Sequence, residues 1–261
     1  MDKKRTFKIF DIPWHCGHQF EMFKIPNCEF YLLLNSCREW ADKARPLPKN
    51  VKWVPYYEKG KYDLAILHVD QQSIDPNLAN KNTIYKELNN EIKDIPKIVI
   101  NHGSPVWPEW YQDKNEIIIK MRELIGDNLM VVNSHKAVEE WKDSAKNIVP
   151  IIHGLDPDDW HDLKKEARVI TAVSPAGLDA YYNRRLYDET QVELGKRGIQ
   201  IVYIRRHIFF DNWDQYRDYL GKSLIYFDFS LHTPMNRART EAMLSGCCVV
   251  TAKSHDVGTL S

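Results

Sequence analysis

Arg237 and Glu241 have the types and the spacing to bind an anionic ligand, because residues four apart stand one turn apart on a helix. The run from Thr233 to Gly246 predicts such a helix, since Thr233 can cap its start and Gly246 can end it. Free amides at a helix start attract anions, so a phosphate can sit near Asn236. An exposed Arg237–Glu241 ion pair is the alternative, and both interpretations stay open.

Histidines follow two predicted strands in the first half of the chain. His102 comes directly after the apolar run IPKIVIN, while His15, Gly17 and His18 come after RTFKIFDIPW. The carboxyl ends of parallel strands meet at one edge of a sheet, so these residues are candidates for ligand contact. Turn residues with satisfied hydrogen bonds are the plainer alternative. As zinc ligands, His15, Cys16 and His18 would lack a fourth partner at any standard spacing, and we predict no metal.

Two pairs of adjacent arginines are further candidates for an anion site. Arg184 and Arg185 stand at a predicted helix start, where two guanidinium groups can grip a diphosphate through bidentate hydrogen bonds. Surface charges explain the pair equally well. Arg205 and Arg206 end a predicted strand and form a second possible anion site.

Short apolar runs alternate with amphipathic segments along the chain and predict the elements that position these residues. Such runs suit strands that are covered on both faces, and the alternation predicts an α/β fold with parallel sheets. The predicted strands include CEFYLLLNS, YDLAILHV, IPKIVIN, DNLMVVN, ARVITAVS, GIQIVYI, SLIYFDFS and CCVVTA. The predicted helices include EIIIKMRELIG, KAVEEWKDSA and DNWDQYRDYLGKS.

The segment from Glu241 to Val250, EAMLSGCCVV, resembles the EAMxxGxPVV-like phrase of retaining, nucleotide-sugar-dependent glycosyltransferases of GT-B architecture. Two further phrases are similar to that family: NSH at 133–135, and HGLDPDDWHDL, which is like the phrase that joins its two halves. The resemblance implies two Rossmann-like domains facing a cleft, with a hinge between them. It places the acceptor-side domain at residues 1–154 and a nucleotide-sugar domain, apparently incomplete, at 155–261.

The resemblance also implies roles for the candidate residues. His102 would be the catalytic-site histidine that orients the donor sugar, Glu241 would contact the donor ribose, and Thr233 stands where many members carry a first glutamate. The donor-binding candidates are Glu241, Arg237, Asn236, Thr233, Arg184 and Arg185. The acceptor-binding candidates are His15, Gly17 and His18.

The implied reaction moves a sugar from a nucleotide diphosphate sugar to a hydroxyl acceptor, with retention of configuration. The donor is a substrate and no further cofactor is expected; the acceptor is a glycan, a lipid or a small molecule. Arginines would take the place of a divalent metal, and the leaving phosphate would help to deprotonate the acceptor. A nucleotide-sugar epimerase of the same fold and a non-catalytic GT-B-like binding module are the alternatives.

Composition limits the possible partners. Lys+Arg and Asp+Glu number 36 each, which gives no overall attraction to nucleic acid. No run approaches the length of a membrane span, so membrane contact is expected at most at the periphery. Five cysteines, an odd number in mostly apolar settings, predict reduced thiols and a cytoplasmic location. The oligomeric state stays open.

Overall fold

The computed structural model describes residues 5–36, 38–75, 79–105, 113–172, 182–205, 209–230 and 236–251. Within these ranges the chain divides into two compact units. The first unit takes residues up to 41, then 47–105 and 113–152. The second takes residues 42–46 and everything from 153 onward.

The first unit is built on a parallel sheet of seven strands. In chain order they are β1 (Phe7–Asp11), β2 (Cys28–Leu33), β3 (Val51–Val54), β4 (Leu64–Val69), β5 (Lys97–Asn101), β6 (Leu129–Val132) and β7 (Asn147–Pro150). Their order across the sheet is β3-β2-β1-β4-β5-β6-β7, so the chain changes direction of travel between β1 and β4. Such a switch point opens a crevice at the carboxyl ends of the strands, where α/β sheets bind ligands.

Both faces of this sheet are buried, which explains the unbroken apolar runs in its strands. Phe10 and Leu67 belong to one hydrophobic core, while Ile9 and Ile66 belong to a second core on the opposite face. The helices α1 (Cys16–Met22), α2 (Ala79–Glu91), α3 (Lys114–Ile125) and α4 (His135–Glu140) connect the strands, with a 3-10 turn at Gln71–Ile74.

The second unit carries a smaller parallel sheet of four strands. These are β8 (Glu166–Thr171), β9 (Ile201–Tyr203), β10 (Ser223–Asp228) and β11 (Cys248–Thr251), in the order β11-β10-β8-β9. The switch point of this sheet lies between β8 and β10. The described helices are α5 (Arg184–Gly195), α6 (Trp213–Lys222) and α7 (Arg237–Leu244), after a 3-10 turn at Pro157–Asp159.

The α/β class with parallel Rossmann-type sheets is confirmed. We predicted a domain boundary after residue 154, and the two compact units divide after residue 152. The second unit also includes residues 42–46, which lie far from this boundary in sequence. The start of α7 differs from the prediction: Asn236 is its N-cap, because the Asn236 side chain accepts a hydrogen bond from the Ala238 N–H at 3.1 Å. Thr233, the predicted cap, lies outside the described residues.

In the part of the chain that the structure describes, every helix is too short or too polar to cross a bilayer.

Candidate functional site

A chain of three side chains lies at the switch point of the first sheet. Asp11 ends β1, His68 is the penultimate residue of β4, and His102 directly follows β5. Asp11 Oδ1 lies 2.8 Å from His68 Nε2, and His68 Nδ1 lies 2.8 Å from His102 Nε2. Asp11 and His68 are fully buried and His102 is half-buried. The arrangement joins a buried carboxylate to a more accessible imidazole through a second imidazole.

Gln19 on α1 binds Asp11, which is the buried end of this series of hydrogen-bonded side chains. Its Nε2 donates to Asp11 Oδ2 at 2.9 Å and to the Ile12 carbonyl at 2.8 Å, while its Oε1 accepts from the Trp14 N–H at 2.8 Å. Asp11 Oδ1 also accepts from the Ile12 N–H at 2.8 Å. The carboxylate therefore accepts hydrogen bonds on both oxygens before His68 is counted.

The backbone after β5 fixes the position of His102. The His102 N–H donates to the Val69 carbonyl at 2.9 Å, which ties the loop to the end of β4. The Gly103 N–H donates to Asn101 Oδ1 at 3.0 Å, and Trp141 Nε1 donates to the Gly103 carbonyl at 2.9 Å. The first bond restrains His102 itself, and the other two restrain Gly103, which follows it.

Replacement of Gly103 by alanine is expected to displace this loop. An added Cβ would lie 1.8 Å from Gln71 Oε1, which can rotate away, but also 2.9 Å from the Gln71 backbone N, which cannot. We expect Gly103→Ala to lower the free energy of unfolding by about 1–3 kcal/mol, as overpacking does. The measurement is urea denaturation beside Gly154→Ala, where an added Cβ meets nothing within 4 Å. Equal values for the two variants would contradict the close packing at Gly103.

The predicted acceptor histidines surround His102. The His15 ring centroid lies 5.0 Å from that of His102, and the His18 centroid lies 5.1 Å away at a near-perpendicular angle. The Trp14 ring stacks on His102 at 6.2 Å. Gly17 lies in the first turn of α1, between the two histidines. The structure thus brings His15, His18 and His102 together in one aromatic cluster.

Two buried polar atoms at this edge of the sheet find no hydrogen-bond partner among the described residues. They are Nε1 of Trp14 and Oδ1 of Asn133, whose side chain follows β6. Trp14 is 3% exposed and Asn133 is 8% exposed. Buried polar groups are nearly always paired, so an orphan donor and an orphan acceptor mark a place where a polar ligand can bind.

Cations lie near the same tryptophan. Lys81 Nζ lies 5.0 Å from the Trp14 ring centroid and Arg38 Cζ lies 5.8 Å from it. Lys81 also forms an ion pair with Asp70 at the end of β4 and donates to Gln72 Oε1 at 2.6 Å. This neighbourhood is polar and carries charges of both signs.

In the second unit, Glu241 is fully buried and both of its oxygens accept hydrogen bonds. Oε1 accepts from Arg237 Nε at 2.9 Å and from an Arg45 terminal nitrogen at 2.6 Å, and Oε2 accepts from the Tyr216 hydroxyl at 2.6 Å. Arg237 and Glu241 therefore form the predicted pair one turn apart. Arg237 is 13% exposed and Glu241 is 0% exposed, so the pair is not on the open surface, and its role in ligand binding stays a prediction.

Arg45 is a fully buried cation of this unit. Its side chain is 1% exposed, and its Cζ lies 3.6 Å from the Trp213 ring centroid and within 6 Å of the Trp160 and Tyr216 rings. A guanidinium enclosed by aromatic faces is stabilised by cation–π attraction, and Glu241 balances its charge. Residues 42–46 belong to the second unit, and Arg45 contacts Glu241 there.

Asn236 binds Asp228, the last residue of β10, and thereby orients the start of α7. Asn236 Nδ2 donates to Asp228 Oδ1 at 2.8 Å, an oxygen that also accepts from the Ser230 hydroxyl at 2.6 Å. Asp228 Oδ2 accepts from Arg239 at 3.3 Å. Asp228 is buried, so this carboxylate connects the end of the strand to the first turn of the helix.

Arg184 and Arg185 lie on the exposed first turn of α5. Arg184 Nε donates to both oxygens of Asp188 at 3.0 and 3.1 Å, and Arg185 Nε donates to Glu189 at 2.7 Å. The bond to Glu189 raises the pKa of Arg185. Each guanidinium is thus paired one turn along its own helix, and diphosphate binding by this pair stays a prediction.

His153 carries a shifted pKa beside the Arg237–Glu241 pair. Burial, reinforced by the positive charge of Arg237, lowers the pKa of His153 to about 4. The imidazole is therefore neutral at pH 7. In the unfolded chain it titrates near pH 6.5, so between these two values the unfolded state binds more protons.

The second unit is consequently expected to lose stability as the pH falls from 6.5 to 4. The difference between these two pKa values corresponds to about 3 kcal/mol at most. The measurement is the free energy of urea unfolding at pH 7.5, 5.5 and 4.5 for the parent chain and for His153→Gln, which cannot titrate. Equal pH slopes in the two proteins would refute the role of His153.

The histidine partners and the buried arginine were missed from the sequence. His68 lies inside an apolar run and Asp11 ends another, and a polar residue that interrupts such a run was the available signal for both. Gln19 and Arg45 gave no signal, since a glutamine on an amphipathic helix and an arginine in a Pro-containing loop are ordinary surface residues. Among the described residues, no three His, Cys, Asp or Glu side chains are placed to hold a metal ion.

These two parallel sheets define an α/β fold with Rossmann-type sheets. The solved structure of a sucrose-phosphate synthase from Thermosynechococcus elongatus is similar to 97% of this chain over 83% of its own length, with a TM-score of 0.57. The two sequences are 11% identical, so the similarity shows the fold alone. No protein-family model and no curated protein sequence matches the chain.

Proposed function

We propose that this protein transfers a sugar from a nucleotide diphosphate sugar to a hydroxyl acceptor. The observation that carries the proposal is the Asp11–His68–His102 chain at the switch point of a glycosyltransferase-like fold. Ligands of such sheets bind at this edge, and a half-buried imidazole backed by a buried carboxylate can engage a substrate hydroxyl.

The surroundings of His102 suit a sugar or another polyhydroxylated molecule. Flat aromatic and imidazole rings pack on the apolar faces of sugars, and His15 and His18 supply such rings beside His102. The orphan Trp14 N–H can donate to a hydroxyl oxygen, and the orphan Asn133 oxygen can accept from a hydroxyl. The proposed acceptor-side residues are accordingly His15, Gly17 and His18, and His102 is proposed to orient the donor sugar.

The nucleotide diphosphate is proposed to bind the second unit at the start of α7. Arg237 stands at the first position of this helix, where the backbone amides of the first turn favour negative charge. Glu241 holds the Arg237 guanidinium at 2.9 Å, and the proposed ribose contact would join the bonds that Glu241 already makes. Arg184 and Arg185 remain further candidates, and Thr233 lies outside the described residues.

We further propose that the transfer keeps the anomeric configuration of the sugar and needs no divalent metal. Guanidinium groups and helix amides can stabilise the charge that develops on the departing diphosphate, as a metal does in other enzymes. The departing phosphate would take the proton of the acceptor hydroxyl. No cofactor beyond the donor substrate is invoked.

The test is release of nucleoside diphosphate from UDP-glucose, GDP-mannose and ADP-glucose, with and without EDTA. We expect at least one donor to be turned over in both conditions, with water as the acceptor. The released sugar should show the anomeric configuration of the donor in NMR spectra recorded before mutarotation. His102→Ala and Arg237→Ala should each lower kcat/KM about tenfold or more, as loss of a charged or well-placed hydrogen bond does. Lys120→Ala, which removes an exposed pair with Glu116, is the control.

The alternatives give different products. An epimerase would convert the sugar of the donor and would transfer it to no acceptor. Mass spectrometry of the products detects the released nucleoside diphosphate and the transferred sugar that a transferase would give. A binding module would bind UDP, GDP or ADP in calorimetric titration and turn over no donor. Equal, slow release by the parent chain and both variants would refute a transferase.

A further inference from the structure

We infer that Arg45 and Tyr216 are positioning residues that fix the guanidinium of Arg237 through the carboxylate of Glu241. The inference deepens the proposed function and rests on it for the role of Arg237 in binding the donor diphosphate. The positioning itself follows from bonds within the second unit, to which residues 42–46 belong.

The Arg45 side chain has a fixed place in this unit. Its Nη1 donates to the Ala44 carbonyl at 2.6 Å, and its Cζ lies 3.6 Å from the Trp213 ring centroid. A planar guanidinium that packs on an aromatic face and donates to the backbone has little freedom to rotate. Because the side chain is 1% exposed, a ligand that arrives from solvent does not contact it.

Glu241 is held at both of its carboxylate oxygens. An Arg45 terminal nitrogen, Nη2, donates to Oε1 at 2.6 Å, and the Tyr216 hydroxyl donates to Oε2 at 2.6 Å. Charge-assisted bonds between nitrogen and oxygen are commonly about 2.7–2.9 Å long, so the bond from Arg45 is a short one. The carboxylate cannot rotate about its last side-chain bond without breaking one of these two contacts.

Arg237 is bound to the same carboxylate. Its Nε donates to Glu241 Oε1 at 2.9 Å, the oxygen that also accepts from Arg45. Nε adjoins the aliphatic part of the side chain, so a bond at this atom sets the direction in which the guanidinium plane extends. Arg237 is 13% exposed against 1% for Arg45, so it is the more accessible of the two arginines. Arg45 and Tyr216 can therefore act on a ligand through Glu241 and Arg237.

The consequence is an arginine whose orientation is set before an anion binds. An arginine that becomes ordered only on binding loses side-chain entropy, which weakens binding, whereas an arginine that is already held avoids this loss. Inorganic pyrophosphate represents the anionic part of the proposed donor. We expect Arg45→Lys and Tyr216→Phe each to raise its Kd about twofold to tenfold in calorimetric titration.

The decisive experiment is nitrogen-15 NMR of the arginine Nε–H groups of the full chain at pH 7. Arg45→Lys keeps the positive charge but loses the planar fork, and Tyr216→Phe removes one hydroxyl and keeps the ring. We expect the Arg237 Nε–H to exchange with water about tenfold faster in each variant than in the parent chain. Unchanged exchange in both would overturn the inference, and Tyr216→Phe decides the test if Arg45→Lys does not fold.

Arg168→Lys is the matched control. Arg168 Cζ lies 3.9 Å from the Tyr219 ring centroid, and its guanidinium pairs with Glu166, so it too combines an aromatic face with a glutamate in the second unit. We expect this variant to keep the Arg237 exchange rate and the pyrophosphate affinity of the parent chain. Equal changes in Arg168→Lys and Arg45→Lys would show a general loosening of the unit and would contradict the specific role of Arg45.

A double-mutant cycle tests whether Arg45 acts through Glu241. In the Glu241→Gln background, Arg45→Lys should change the Kd of pyrophosphate by about twofold or less, because the carboxylate that joins the two arginines is already gone. A loss as large as in the parent chain would show that Arg45 acts by another route, and the inference would fail.

The same titrations separate this inference from the proposed function. If the parent chain binds neither pyrophosphate nor UDP, GDP or ADP, the proposed donor site fails, while the Nε–H exchange still decides whether Arg45 and Tyr216 position Arg237. If the parent chain binds pyrophosphate and both variants bind it equally tightly, the inference is overturned and the donor site stands.

Discussion

Replacement of Arg45 by alanine is expected to lower the free energy of unfolding of the second unit by about 3–5 kcal/mol, the cost of removing one partner from a buried ion pair. Arg45 and Glu241 are 1% and 0% exposed, and their atoms lie 2.6 Å apart. The variant would keep the pair of Glu241 with Arg237 but would open a space beside the Trp213 ring, 3.6 Å from the lost guanidinium carbon. Urea denaturation measures the loss.

A double-mutant cycle isolates the pairing from the packing. Glu241→Gln removes the charge of the carboxylate and nearly preserves its shape. In the Arg45→Ala background it should cost less than in the parent chain, because the pair with Arg45 is already lost and the pair with Arg237 is the one that it breaks. Arg184→Ala, which removes an exposed pair, should cost about 0.5 kcal/mol or less. A similarly small value for Arg45→Ala would show that residues 42–46 do not depend on this contact.

The class of fold could be predicted because it depends on local patterns. A strand covered on both faces needs a short apolar run, and the apolar runs around Ile66 and Tyr226 have the length and composition of such strands. The alternation of such runs with amphipathic helices admits few topologies other than parallel α/β sheets. The strand order across each sheet was not predicted, since it depends on pairing between distant runs.

Residues of the candidate site could be predicted only where they directly follow a predicted strand. His102 and His15 were singled out because they follow predicted strands, and the structure places their rings 5.0 Å apart. His68 was passed over because it lies within a strand, and one buried histidine in an apolar run gives no hint of its partner. Arg45 lies 196 residues from Glu241, so no local pattern could connect the two.

The contrast between Glu241 and Arg184 shows why residue type does not settle function. Both were donor-binding candidates from a family phrase or from charge. Glu241 is enclosed by three hydrogen-bond donors, which makes it a structural support of Arg237 whatever else it contacts. Arg184 pairs with Asp188 on the surface of its own helix. Burial and partners, which the sequence does not display, distinguish the two.

Asp228→Ala is expected to lower the free energy of unfolding by about 3–5 kcal/mol, because it removes the partner of a nearly buried arginine and several further hydrogen bonds. The Asp228 carboxylate accepts from Ser230, Asn236 and Arg239, and so connects the end of β10 to the start of α7. Its loss would free the cap residue Asn236 and with it the proposed phosphate site.

Asp228→Asn separates the charge of this residue from its shape. The amide can still accept from the Ser230 hydroxyl but no longer balances Arg239, so we expect a loss about half that of Asp228→Ala. Calorimetric titration with UDP, GDP and ADP should show weaker binding in the same order, parent chain, Asp228→Asn and Asp228→Ala. Binding that stays constant while stability falls would place the phosphate site away from the start of α7.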